Sequence, residues 1–369
     1  MAILVNDQVR VADAARINDL PGIHWRAGNP RFQGLPLGTS QNLCGVKVDF
    51  AAHLASLLAA GRAAYYSSLT NDTLPKSFDS AEGWPACAGI INDIRDQSAC
   101  GCCWAFAPAS AGSDRLCIAT NGTVQVPLSA QDACFCTQEF KGDCDGGYTT
   151  EPVLHLMGEG LVTGGQFNHS GPFASSGEDG FCAAYSLPHC HHHGPKGKDP
   201  YPDEKSKGCP MVKNSPTCPG KCDEGAHKPY DSWSTSGRYK VRGGGHVVQV
   251  FKPEDVESIQ RSILEHGPVT ASMDVYADFE QYASGVYHVT SKKMLGGHAV
   301  RIVGWGEDGG VKYWKVANSW NQYWGEAGFF RIRRGTNEAA IEDNVLTTHD
   351  VVEWSGPGVR GKSKEGKGQ

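Results

Sequence analysis

The 369-residue chain is predicted to be an α+β protein of two packed lobes, one helical and disulfide-stapled, the other rich in strands. Three observations carry that prediction. Residues 103–120 carry Ala, Leu and aromatic side chains in a pattern that suggests a helix starting at the cysteine itself. After Asp255 come short apolar runs at 269–275, 298–305, 312–318 and 329–333, each bounded by Gly, Asp or Asn, which is the pattern of strands. Thirteen of the fourteen cysteines fall between Cys87 and Cys222 and none follows, so one lobe is cross-linked and the other rests on a sheet core.

Taken in order, residues 1–73 form a separate polar segment with short helical stretches, notably 50–64. Asn71-Asp72-Thr73-Leu74-Pro75 breaks the composition and is the exposed kind of sequence that proteases cut. The main domain runs from 74 to 350, with a helical lobe over about 90–230 and a strand-rich lobe over about 231–335. Between Gly158 and Tyr230 a Gly-, Pro-, His- and Lys-rich stretch with five cysteines has little periodicity; it is loop that needs covalent ties. Residues 256–266 read as a helix stopped by Gly267-Pro268. The Gly- and Lys-rich tail, 351–369, is expected to be disordered. No internal repeat is present.

A net charge of −6 argues against a general nucleic-acid or membrane-surface binder, and no run approaches the roughly 18 apolar residues of a spanning helix. Abundant cysteine and three Asn-x-Ser/Thr acceptors, at Asn71, Asn121 and Asn168, point to the secretory route and a lysosomal or extracellular destination. The opening MAILVNDQVR lacks a basic stretch followed by a long apolar one, so no signal peptide is visible, and the expectation is a truncated or misassigned start rather than a cytosolic enzyme.

The chemistry centres on Cys103. A free cysteine near neutral pH is mostly thiol, and two devices make it a thiolate: the positive end of a helix and a neighbouring imidazolium. Gly101 permits a tight turn into a helix that begins at Cys103. Gly296-Gly297-His298 places an imidazole at a strand where two glycines let another backbone approach. Asn318 can accept from the far ring nitrogen and fix the tautomer, while the Cys103 N–H and the Gln97 amide can bind an oxyanion.

DQSACGCCWAF, GGHAVRIVGWG and VANSWNQYWG, in that order, resemble the three active-site blocks of papain-like peptidases, and the cathepsin B branch in particular. The likeness spans about residues 20–350 and includes LPKSFDSAEGWPAC, SDRLCIATNG, CDGGY, SLPHCHHH and DFEQYASGVYHV. It implies a papain-like fold, a β-barrel-like second lobe, an N-terminal propeptide and an occluding-loop insertion over 188–210. It implies hydrolysis of peptide and protein substrates by Cys103, His298 and Asn318, with Gln97 in the oxyanion hole. Trp320 would shield the His–Asn bond, and Gly146 and Gly147 would present backbone to substrate. No cofactor, metal or nucleic acid is implied. Residues 20–47 look like a propeptide lying backwards in the cleft, an inhibitor of its own enzyme, with Cys44 near the nucleophile.

Pro188-His189-Cys190-His191-His192-His193 resembles the start of the occluding loop, where His192 and His193 would bind a substrate's terminal carboxylate and allow removal of C-terminal dipeptides. Glu342 resembles the acidic floor of the S2 pocket, admitting Arg. The implied disulfides are Cys87–Cys117, Cys100–Cys144, Cys182–Cys222, Cys190–Cys209 and Cys218 with either Cys134 or Cys136. Cys44, Cys102, Cys103 and the remaining cysteine are then unpaired. Several departures stand out. Cys102 replaces a small residue beside the nucleophile, where its thiol could pair, bind metal or oxidise. Pro108 falls early in the helix, and Tyr323 stands where an acid would partner the loop, leaving Asp96 for His192. Three classes stay open: a peptidase, a catalytically silent binding or decoy relative, and a zinc or thiol-redox protein built on the His tract or on Cys100/Cys103.

Overall fold

The computed structural model describes residues 2–47, 49–68, 70, 72–137, 143–167, 181–189, 212, 214–224, 226, 233, 240–241, 247–348 and 352–353. Two packed cores divide the chain. One surrounds the helix Cys103–Ala119, with Trp104, Phe106 and Leu116 against Leu128, Leu154 and Tyr185. The other lies in the sheet and holds Phe279, Tyr282, Trp314, Trp320, Trp324 and Phe330. The α+β expectation holds, and strand burial alternates where one face meets the core, as along Phe329–Arg333.

Among the described residues the main sheet has ten strands, and Lys240–Val241 pairs with Val352–Glu353 apart from it. From one edge the ten run Trp25–Ala27, Tyr282–Tyr287, Phe329–Arg333, Val311–Ala317, Met294–Asp308, Val269–Tyr276, Asn344–Thr347, Val248–Val250 and Ala63–Tyr65, with Phe78–Asp79 added on Met294–Asp308. Both outermost strands come from the N-terminal segment, which thereby covers edges that would otherwise expose unpaired backbone. The expected helix over 50–64 is shorter: it ends at Ala59, Gly61 takes φ +68°, and Ala63–Tyr65 becomes strand. Pro108 is accommodated within the continuous helix Cys103–Ala119.

Among the described residues five disulfides form: Cys87–Cys117, Cys100–Cys144, Cys102–Cys134, Cys136–Cys218 and Cys182–Cys222. Cys102 is therefore no free thiol beside the nucleophile, because the helix Ala130–Phe135 carries Cys134 up to it; this also assigns Cys136 to Cys218. Cys190–Cys209 lies outside the described residues. Every one of the five falls within the helical lobe, so none of them ties the two lobes to each other.

Candidate active site

Cys103 is the first residue of its helix, so the unpaired N–H groups of the first turn lie around it. Gly101 is needed for the approach, since a Cβ there would sit 2.5 Å from the Cys144 carbonyl oxygen. The thiol is free and buried, and it accepts a hydrogen bond from the Gly45 N–H at 3.2 Å. Ala299, next to His298, packs on Cys103 and turns its N–H toward the sulfur.

His298 lies within the strand Met294–Asp308, which begins earlier than expected because Gly296 and Gly297 pair with Val275 and Asp274. Its Nε2 is 2.8 Å from Asn318 Oδ1, and the Trp320 ring centroid lies 4.9 Å from that of the imidazole, covering the pair. Gln97 is fixed by accepting from the Ser319 hydroxyl at 2.7 Å; its amide donates to the carbonyls of Cys100 at 2.8 Å and Leu43 at 2.9 Å. His298 and Asn318 are thus bonded to each other, Gln97 reaches Ser319 beside Asn318, and Cys103 packs on Ala299 beside His298.

The N-terminal segment runs straight through this meeting point. Leu43 offers its carbonyl to Gln97 and faces the His298 ring. The Gly147 N–H donates to the Gly45 carbonyl at 2.9 Å, the Val46 N–H to Gly297 at 3.0 Å, and the Lys47 N–H to Gly147 at 3.2 Å. Val46 pairs parallel with Gly147 and antiparallel with Gly297, so one strand-like stretch bridges the lobes. Gly146 has no room for a side chain there: its Cβ would stand 2.7 Å from the Gly45 oxygen.

Enclosure decides the charge states. Burial pushes the Cys103 thiol up to about 11, against the opposing pull of the Ala299 and Gly45 N–H groups. Burial likewise holds His298 down to about 4, although the Asn318 bond and the Leu43 carbonyl favour its protonated form. Between those values, thiol and imidazole are both uncharged. Cys44, the other free cysteine among the described residues, is driven well above its usual value by burial and then by the charges of Cys103 and Glu280.

Other expected positions divide. Glu342 is not the acid of a side-chain pocket. It is buried, and its carboxylate accepts from the Trp314 indole at 2.8 Å and from the backbone of Gly335 and Asn337 at 2.7 and 2.8 Å. Left-handed residues Asn337, Ala339 and Ala340 turn the loop so that this carboxylate faces inward. The depression beside Gly297 is lined instead by Val46, Ser272, Asp274, Met294, Ala340 and Asn344. Asp274 there is half-buried, with its pKa raised by burial and by Asp343.

His192 and His193 lie outside the described residues; His189, just before them, is buried and edge-on to Phe167. Asp96 is buried, already accepting from the Ser98 N–H at 2.8 Å and Asn321 Nδ2 at 3.2 Å. Among the described residues no cluster of His, Cys, Asp and Glu could hold a metal ion, and no helix is long and apolar enough to cross a membrane.

Two residues were not singled out in the sequence. Glu280 grips the N-terminal segment, accepting from Arg10 at 3.0 Å and from the N–H groups of Gly38 at 3.0 Å and Ser40 at 2.5 Å. Its partners are so distant in sequence that no local pattern marks it. Arg301 is buried beneath the site, and the signal for it was legible: a charge inside the apolar run HAVRIVGW.

Residues 74–349 match the family described as papain family cysteine protease. Cathepsin B-like cysteine proteinase 4 of Caenorhabditis elegans is 44% identical over 278 residues, 75% of this chain and 76% of that protein. A cathepsin B-like cysteine proteinase of Schistosoma japonicum is 39% identical over 279 residues, 75% of this chain and 73% of its own length. In three dimensions the chain is similar to procathepsin B S9 from Trypanosoma congolense, with a TM-score of 0.69 and 28% identity over 93% of this chain and 98% of that one.

Proposed function

The chain belongs to the papain family of cysteine proteases as a cathepsin B-like enzyme made as a proform, and from that premise we propose that it hydrolyses peptide bonds through Cys103, His298 and Asn318. The reading rests chiefly on one observation: a free sulfur at a helix start lies beside the His298 strand, while Gln97 already holds a peptide carbonyl at 2.9 Å. In the working enzyme His298 takes the thiol proton, and the sulfur attacks the substrate's carbonyl carbon. Asn318 holds Nε2, which leaves Nδ1 for that proton. Gln97 Nε2 and the Cys103 N–H stabilise the oxyanion. The imidazolium then gives its proton to the leaving amine, and water, deprotonated by His298, releases the acyl group.

Residues 1–73 are the propeptide, and 74–350 the peptidase domain. The contacts of Leu43, Gly45 and Val46 support inhibition by occupation of the cleft. The loop at 188–210 gives C-terminal dipeptide removal, with His192 and His193 receiving the terminal carboxylate, alongside internal cleavage. Gly146 and Gly147 supply backbone to substrate, and the acid of the neighbouring pocket is Asp274 rather than Glu342. Lysosomal or extracellular residence accords with the disulfide-rich lobe. The pairing of Cys102 and the continuous helix through Pro108 weigh against the silent-relative reading.

The test is hydrolysis of peptide amides by the processed protein: Cys103→Ser should abolish it, and activity that survived this change would refute the reading. His192→Ala should lower C-terminal dipeptide release more than internal cleavage; equal losses would remove the carboxylate role.

A further inference from the structure

The five disulfides among the described residues stay within the helical lobe, so the alignment of Cys103 with His298 depends on non-covalent contacts between lobes. Near the site Ala299 packs against Cys103 and Ala107, and the Ser319 hydroxyl and the Asn321 amide donate to Gln97 and Asp96. Charged directed contacts lie deeper. Arg301 sits on the same strand as His298, and its Nη1 donates to both oxygens of Asp114 on the Cys103 helix, at 2.7 and 2.5 Å. Its Nη2 donates to the carbonyls of Ile91 at 2.9 Å and Asp93 at 3.3 Å, in the segment that leads to Gln97.

Arg301 and Asp114 are both buried. A hollow lined by Arg301, Asp93, Ala299, Asn318 and Ser319 joins this cluster to the floor of the site. On the other side Arg115, the next helix residue, donates to the carbonyls of Pro268 at 2.8 Å and Gly267 at 2.9 Å, and to Ser262 Oγ at 3.0 Å.

We propose that Arg301, with Asp114 as its partner, is the positioning residue that sets the register of Cys103, His298 and Gln97 across the lobe boundary. The inference rests on the thiol-peptidase reading above. Only a planar guanidinium can serve a carboxylate and two carbonyls at once; an ammonium is a point charge without that fork. Geometry supplies the leverage. Asp114 lies about 16 Å along the helix from Cys103, so a tilt of about 4° at the pin moves the sulfur by about 1 Å. A misplacement of about 1 Å can cost on the order of 100-fold in rate. Substrate binding, which uses Gly146, Gly147 and the pocket beside Gly297, should change far less.

The experiment compares the processed wild-type and Arg301→Lys proteins on one peptide amide across pH, with thermal unfolding measured in parallel. Arg301→Lys should lose about 10- to 100-fold in kcat with KM within about twofold, and its acid limb should move as the thiolate–imidazolium pair is disturbed. If Arg301→Lys does not fold, Asp114→Asn takes its place, with the same split between kcat and KM expected. A folded variant with wild-type kcat and an unmoved pH profile, merely melting earlier, would overturn the positioning role. Failure of the underlying reading looks different: wild-type protein would then show no Cys103-dependent hydrolysis.

Discussion

Gly45→Ala is the sharpest perturbation of the blocked cleft. A methyl group on Gly45 would overlap the Gly101 carbonyl oxygen. Gly101 cannot retreat, because its N–H is bound to Cys144 at 2.9 Å and the Cys100–Cys144 disulfide closes that loop. The N-terminal segment must therefore lift by well over an ångström. That breaks or stretches the bonds from Gly45 to Cys103 and Gly147, from Val46 to Gly297 and from Leu43 to Gln97. At about 0.5–1.5 kcal/mol net for each of these four bonds, the loss is about 2–6 kcal/mol, or at least about 30-fold in affinity. The assay adds peptide 1–73, with and without Gly45→Ala, to processed enzyme and measures inhibition of peptide-amide hydrolysis. Equal inhibition by the two peptides would refute the contact pattern as the source of the block.

Three further outcomes follow from the same geometry. In the intact chain Cys103 is a thiol up to about pH 11 and His298 is neutral above about pH 4. Alkylation by iodoacetamide, followed by mass spectrometry, should therefore be at least about 100-fold slower at pH 8 than after processing and still be rising at pH 10; a plateau below pH 8 would contradict the enclosed, uncharged couple. Glu280→Gln removes the charge that faces Arg10 in a buried contact and, with one amide oxygen in place of two, keeps an acceptor for only one of the Gly38 and Ser40 N–H groups. Breaking such a pair should weaken inhibition by added peptide 1–73 at least tenfold, and unchanged inhibition would discount the grip. Asp274→Asn should lower the preference for a basic over an aromatic side chain in the adjoining pocket by about tenfold at pH 6.5, read as a ratio of kcat/KM values; a constant ratio would assign selectivity elsewhere.

How far these features were legible depended on how local their causes are. The helix Val256–His266 and the strand Phe329–Arg333 were read to the residue, because Asp255, Gly267 and the strand alternation carry their own boundaries. The helix at Cys103 was read to within a residue of its end. Pairings across lobes were not legible from local pattern: the meeting of Gln97 with Ser319 joins residues 222 positions apart, and only the likeness to known blocks put them in one site. Cys102–Cys134 escaped because fourteen cysteines allow many connectivities and this one departs from the implied set. Glu342 was placed by likeness alone, whereas in the fold its carboxylate accepts from the Trp314 indole and from the backbone of Gly335 and Asn337. Arg301 stood in plain view as a charge in an apolar strand, but its partner Asp114, 187 residues away, required the fold.

The claim on which the mechanism depends is that Cys103 alone becomes the nucleophile once the N-terminal segment leaves. Active-site titration with an epoxide peptide reagent, on protein processed at pH 5 under reducing conditions and then mapped by mass spectrometry, tests it directly. One equivalent of reagent on Cys103, absent from the unprocessed chain, is the predicted result. A folded, processed protein that takes up none, or takes it up on a different residue, would contradict the account.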